Sequence, residues 1–394
     1  MTDQSKLVLV VLGMMGRTPF AGVAWQVLHY LEAFRRLGHH VYYVEDTGAW
    51  PYDPEQNTIT DDCSYTVNYI GRLMDWCGMR DRWAYRAVTE GGQTFGLSEA
   101  QVSQVFQQAD ALINLTGATL LGAEHLRVPV RIYLETDPVL PQIEVAQDRK
   151  FTTDLLSAHT HHFTYGENLG AADCRVPLGC YEYHPTHQPI VLDWWNSAGI
   201  SAQPSASLYT TVASWEQTGK DIVWDGETYM WSKHLEFLKF IDLPHQWGPR
   251  FELALACEDA AAVRLLSSSG WRIVDALALS KDILPYRDYI FGSRGEFTVA
   301  KDQNIRLRSG WFSDRSACYL AAAKPVITQD TGFGQILPTG RGLFAFRNME
   351  EILAALDRIE SDYEGNCRAA REIALEYFAA ENVASRMLQQ AGLQ

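Results

Sequence analysis

Two short stretches, Ser309-Gly-Trp-Phe-Ser-Asp-Arg-Ser and Thr328-Gln-Asp-Thr-Gly-Phe, concentrate the residue types that hold a phosphate. Ser313 or Asp314 can cap a helix that starts there, which leaves the amides of Arg315 and Ser316 without intrahelical partners and directed at whatever lies in front. A helix N-terminus carries partial positive charge. Arg315 and the hydroxyls of Ser313 and Ser316 add donors, so the chemistry is that of a pyrophosphate site. The competing reading is a capped surface helix whose Arg315 pairs with Asp314. The second stretch, with Asp330, Thr331 and Gly332, follows the next strand and opens at the same sheet edge, which favours a site.

A diphosphate needs further cations, and Lys220, Lys301, Arg306, Arg308 and Arg315 are the supply in the second half of the chain. Lys301 and Arg315 fall nearest the expected sheet edge, with Arg308 close behind. A reaction that expels a diphosphate needs that leaving group stabilised and can need a base to take up a proton. Glu135 and Asp137, at the end of a strand facing the expected cleft, are the catalytic candidates, although Asp137-Pro138 is also a turn initiator. Gly22, at the start of the first helix, lets backbone approach a ligand held by the first half of the chain. His159, His161 and His162 are read as part of a strand that puts His162 on the opposite face from the other two, so no metal is assigned. Gly13–Gly16 lacks the spacing of a dinucleotide fingerprint, which argues against a nicotinamide cofactor.

The elements that must position these residues follow a recurrent pattern of apolar strand and amphipathic helix, the signature of parallel α/β sheets. Strands are expected at Lys6–Leu12, Val41–Val44, Ala111–Leu115 and Val128–Leu134, with a helix between the first two. A second series runs through Leu208–Ser214, Phe251–Ala256, Ile290–Ala300, a helix over Ser313–Ala323 and a strand over Pro325–Thr328. Residues 47–104, with a helix around Tyr65–Trp76, read as an insertion. Residues 349–392 read as helical.

With 394 residues, the chain suits two domains at roughly 100–200 residues each. The expected division is a first Rossmann-like domain over 1–195, a linker over 196–207, a second over 208–375, and a C-terminal helix over 376–394 that packs back on the first. There are 33 Lys and Arg against 48 Asp and Glu, a net charge of −15, so the average surface repels polyanions and no nucleic-acid partner is expected. The apolar run Leu7–Leu12 is too short for a membrane span, and the chain reads as cytoplasmic. Seven scattered cysteines without a C-x-x-C pair read as reduced thiols.

The segment from Phe312 to Phe333 resembles the donor domain of GT-B glycosyltransferases of the group 1, family 4-like type, with the pattern F-G-x-x-x-x-E-A-x-A-x-G-x-P-V-[IV]-x-x-D-x-G-G. Phe312, Ala321, Pro325, Val326, Ile327, Asp330 and Gly332 match it in register. Cys318 stands where the pattern has the ribose-binding Glu, Ala323 replaces a Gly, and Asp314 becomes the substitute ribose contact. The first unit, through Arg36-Leu-Gly-His-His-Val, and the Gly340-Arg-Gly-Leu-Phe turn are similar as well.

The resemblance implies two Rossmann-like domains facing across a cleft and an enzyme that moves a sugar, of hexosyl type, from a UDP, GDP or TDP donor to an unidentified acceptor. The nucleotide-diphosphate sugar is a co-substrate, with no tightly bound cofactor. A nucleotide-sugar epimerase and a non-catalytic nucleotide or sugar binder are the alternatives.

Overall fold

The computed structural model describes residues 6–88, 92–196 and 207–394. Most of the expected linker, 197–206, lies outside the described residues.

The first sheet has eight strands: β1 (Val8–Leu12), β2 (His40–Glu45), β3 (Trp83–Arg86), β4 (Thr94–Gly96), β5 (Ala111–Leu115), β6 (Val130–Glu135), β7 (His161–Thr164) and β8 (Tyr183–Pro185). Their spatial order is β8-β7-β6-β5-β1-β2-β3-β4, and every neighbouring pair is parallel except β3 with β4. The second sheet is wholly parallel: β9 (Tyr209–Ser214), β10 (Phe251–Ala256), β11 (Arg272–Asp275), β12 (Gly295–Thr298), β13 (Val326–Gln329) and β14 (Leu343–Phe346), in the order β11-β10-β9-β12-β13-β14. Parallel neighbours need crossovers over the sheet faces, which is why helices cover both sheets and strands such as β1 read as near-continuous apolar runs. Leu9 to Leu12, all fully buried, are one such run.

Three expectations change here. Residues 47–104 are not an insertion: they supply the helix Ser64–Trp76, which crosses from β2 to β3, and then β3 and β4, which extend the sheet beyond β2. The aromatic run Trp83-Ala-Tyr hid the strand because it shows no alternation; all three residues are buried. Ile290–Ala300 is not one strand. Asp282 caps a helix over Ile283–Gly292 through the amide of Leu284, and the strand begins only at Gly295. His159 is not in a strand either, since the helix Lys150–Ser157 ends just before it and β7 begins at His161.

The two halves share one core. Apolar residues under the first sheet, such as Trp25, Tyr30 and Phe34, run continuously into Tyr286, Ile290 and Phe312 of the second half. The last helix, Ala380–Gln390, packs against the first, Ala21–Arg36. Phe378 O accepts from the amide of Ile190 at 2.7 Å, tying the chain end to the first half.

Candidate active site between the two sheets

Both sheets direct the carboxyl ends of their strands at a shared cavity of about 380 Å³. Met14 after β1, Thr116 after β5, and Thr136 and Asp137 after β6 line it from one side. Ser214 at the end of β9 and Ala256 at the end of β10 line it from the other. Strands β1 and β9 each lie between neighbours reached by crossovers in opposite directions, so the cavity occupies both topological switch points, where open parallel sheets bind ligands.

Two helix N-termini open into it. Gly22 and Gln26 come from Ala21–Arg36; Ser313, Asp314 and Arg315 come from Asp314–Ala321. A Cβ on Gly22 would meet nothing nearer than Tyr286 Oη at 3.9 Å, so the missing side chain leaves room for a ligand rather than relieving the backbone. Gln26 Nε2 donates to Asp314 Oδ2 at 3.2 Å across the cleft, and burial pushes the Asp314 carboxyl up to about 7. Ser313 holds the N-cap position without a side-chain capping bond, and the first intrahelical bond is from Ala317 N. The amides of Arg315 and Ser316 are thus left without a helical acceptor, and the Ser316 hydroxyl is buried without a partner.

Arg315 lines the cavity but its guanidinium is turned to the sheet. Nε donates to Glu296 Oε1 at 2.6 Å, Nη1 to Val212 O at 2.6 Å and Nη2 to Thr298 Oγ1 at 3.0 Å. Glu296 is fully buried, so releasing Arg315 would strand a carboxylate. Arg315 therefore pins the helix terminus to β9 and β12, and its charge acts on the cavity from the wall.

Lys301 is close by. Its Nζ lies 2.5 Å from Asp137 Oδ1 and 3.3 Å over the Trp231 ring. Burial opposes the charge on Asp137, but the Lys301 ammonium overrides it and holds the carboxyl below its ordinary range. Lys233, which nothing in its spacing distinguishes in the sequence, lies 5.0 Å over the ring of the cavity residue Trp311. Burial, then the charges of Arg315 and Lys301, push its amine down to about 7. Three cations therefore crowd one end of the cleft in a chain whose net charge is −15.

The other sequence candidates fall elsewhere. Glu135, only 1% exposed, accepts from Gln142 Nε2 on both oxygens, at 2.7 and 2.8 Å, and from Thr164 Oγ1 at 2.6 Å; burial pushes it up to about 8. Those bonds make it a strut under β6 rather than a base facing the cleft. Arg308, Asp330 and Gly332 line a separate cavity with Gln335 and Arg347, and Arg308 pairs with Asp173 at 2.6 Å. Thr331 is buried and donates to Trp311 O at 2.6 Å. Around them Asn168 of the first half bonds Ser309 O through its amide and Arg308 O through Nδ2, so this loop is a seam between the halves.

Two anion or metal alternatives are filled from within. The amides of Gly16 and Arg17, after β1, donate to the Glu45 carboxylate at 2.7 and 2.5 Å, so that loop already holds an anion. Among the described residues one group has metal-ligand spacing, Asp46, Glu124 and His125. Arg86 bonds both carboxylates, and His125 Nδ1 accepts from the amide of Gly122 at 3.0 Å, which puts the ring proton on Nε2 and leaves no lone pair to offer. His159 Nδ1 and His162 Nε2 face the carbonyls of Leu155 and Leu156, so the histidine cluster caps a helix end.

No family model matches the sequence, and no curated protein matches it either. Solved structures do match. An alpha-glucosyltransferase in complex with UDP and a 13-mer DNA superposes with a TM-score of 0.58 at 8% identity, covering 99% of this chain and 100% of that one. HepE from Anabaena, in complex with UDP and glucose, gives 0.55 at 10% identity over 98% and 100%. Sucrose-phosphate synthase from Thermosynechococcus elongatus gives 0.56 at 12% identity over 97% of each chain. The chain thus has the GT-B fold, two Rossmann-like halves facing across a cleft. One expectation is corrected by the same structures. The net charge argued against a nucleic-acid partner, yet proteins of this fold are solved bound to DNA, because average charge does not decide what a local face accepts. Among the described residues no helix is long and apolar enough to cross a membrane.

Proposed function

We propose that this protein is a glycosyltransferase that takes a hexosyl group from a nucleotide-diphosphate sugar. The diphosphate lies before the amides of Arg315 and Ser316 and is neutralised by Lys233 and Lys301, with Arg315 contributing through its field. Asp314 takes the place of the ribose carboxylate that Cys318 cannot supply. The acceptor enters from the first half. Its oxygen bonds to the anomeric carbon as the bond from that carbon to the diphosphate breaks, the electron pair leaving with the diphosphate. Asp137, kept anionic by Lys301, receives the acceptor's proton.

The observation that carries this reading is the crowding of Lys233, Lys301 and Arg315 at a helix N-terminus in an acidic chain. Arg315 is paired with Glu296 and Lys301 with Asp137, which leaves Lys233 without an ion pair among the described residues, and a diphosphate has the charge to join it. The test is a thermal-shift screen of UDP, GDP and TDP and their sugars, since a ligand of the native state raises Tm with its concentration. At least one is expected to raise Tm, and to release free nucleotide diphosphate on turnover. A flat response to every nucleotide refutes the proposal, and binding without any release leaves a nucleotide-binding protein instead.

A further inference from the structure

A second cavity, of about 550 Å³, adjoins the cleft and shares Met14, Thr116, Thr136 and Asp137 with it. It lies beyond the carboxyl ends of β1, β5 and β6, on the side of Asp137 that faces the first half. Its polar groups are largely satisfied within the protein. Glu135 is held by Gln142 and Thr164, Asp137 by Lys301, Glu144 accepts from Thr152 Oγ1 at 2.5 Å, and Thr116 Oγ1 donates to Leu115 O at 2.6 Å. What remains to meet a ligand is an apolar wall of Leu120, Leu140, Pro141, Phe151 and Leu155, facing two cations, Arg17 and Lys220, the second lying 4.6 Å over the Trp231 ring. Leu120 and Phe151 are 59% and 65% exposed, large side chains left in water at the rim.

The backbone beside this cavity is strained. Thr116 has φ of 59° and Val139, β-branched and next to Leu140, has φ of 95°, held by its amide donating to Gln142 Oε1 at 2.6 Å. Left-handed conformations of such residues persist where surrounding bonds over-determine them, and they cluster at ligand sites.

We propose that this cavity is the acceptor subsite and that the acceptor is an apolar, ring-bearing alcohol or phenol, its hydroxyl directed to Asp137; this rests on the donor reading above. A glycan would bring many hydroxyl donors to a cavity whose carboxylates Glu135, Asp137 and Glu144 already hold protein partners, while Arg17 and Lys220 can only donate, so those donors would lose water without compensation. An apolar ring needs no acceptor there and covers Leu120 and Phe151. The volume falls within the roughly 300–1,000 Å³ of small-molecule sites.

The test uses methylumbelliferone, a fluorescent phenol, titrated into the full chain in the presence of UDP, with the variants Leu120→Glu and Phe151→Glu. Both side chains are exposed, so the variants are expected to fold and to keep the wild-type Tm shift with UDP. The phenol is expected to bind the wild type and to bind each variant at least about tenfold more weakly, about 1.4 kcal/mol. Absence of phenol binding with the UDP shift intact overturns the acceptor assignment and leaves the donor reading standing. Binding that both variants leave unchanged also overturns it, because the phenol then sits elsewhere. A 13-mer DNA that displaces the phenol only from wild type would make the cavity a nucleic-acid site and overturn the apolar class. Loss of the UDP shift in wild type is the failure of the donor reading, seen separately.

Discussion

Replacing Lys233 by Met removes the cation whose state the cleft controls most closely. Its amine is pushed down to about 7 by burial and by Arg315 and Lys301. A bound diphosphate supplies the missing anion and returns it toward the ordinary value of about 10.5. The sign follows directly. Below about pH 7 the amine is charged with or without ligand, and affinity does not depend on this group. As pH rises from about 7 toward the bound value, the protein must take up a proton to bind, so Kd increases by up to about tenfold per pH unit. A charge-assisted bond to phosphate contributes about 1.5–3 kcal/mol, so Lys233→Met weakens UDP by roughly 10- to 150-fold near neutral pH. It also removes the crowding among the three cations and is expected to raise the Tm of the ligand-free protein. Asp314, near 7 as well, gains charge over the same range and repels the ligand, which Asp314→Asn separates. Calorimetry of UDP binding from about pH 6 to about pH 9, in buffers of different ionisation enthalpy, reads affinity and proton uptake together. Proton uptake is expected to be largest in wild type, smaller in each single variant, and lost in the double variant Lys233→Met, Asp314→Asn. The same pH slope and affinity in Lys233→Met as in wild type refutes the reasoning.

Other substitutions probe the frame around the cleft. Arg315→Ala strands the fully buried Glu296 and is expected to cost about 3–5 kcal/mol in urea unfolding, far more than a surface ligand contact would. Gly310 has φ of 79° and its added Cβ would lie 2.4 Å from Asn168 N, so Gly310→Ala opens the seam between the halves and lowers Tm measurably. Glu135 has a folded value of about 8 against an ordinary 4.5, so its contribution to stability is present below about pH 4.5 and lost as pH rises through 8, at up to ~1.4 kcal/mol per unit. Glu135→Gln is expected to flatten that part of the stability profile between those limits, measured by denaturant titration at successive pH values.

The strands that the sequence showed clearly, such as Phe251–Ala256 and Ala111–Leu115, are those buried on both faces and therefore mostly apolar, with one polar residue each, Glu252 and Asn114. Trp83–Arg86 and the helix Ile283–Gly292 were not legible in that way. The first takes its place from pairing with β2, and the second from a cap at Asp282 beside residues that are also good strand formers. Within the site, local chemistry picked out Ser313, Asp314, Arg315, Lys301, Asp137 and Gly22, because a helix terminus and strand ends announce themselves by residue type and order. All but Lys301 line the main cavity, and Lys301 is bonded to one that does.

What the sequence by itself determined is the alternation of strand and helix and the polar strand ends, since periodicity and capping are local properties. Direction of a side chain is not local. The tertiary structure alone turned Arg315 inward to Glu296, locked Glu135 between Gln142 and Thr164, moved Arg308, Asp330 and Gly332 to the seam, and brought Lys233 beside two other cations. Each of these depends on partners far away in the chain, and a buried charge goes where its partner is.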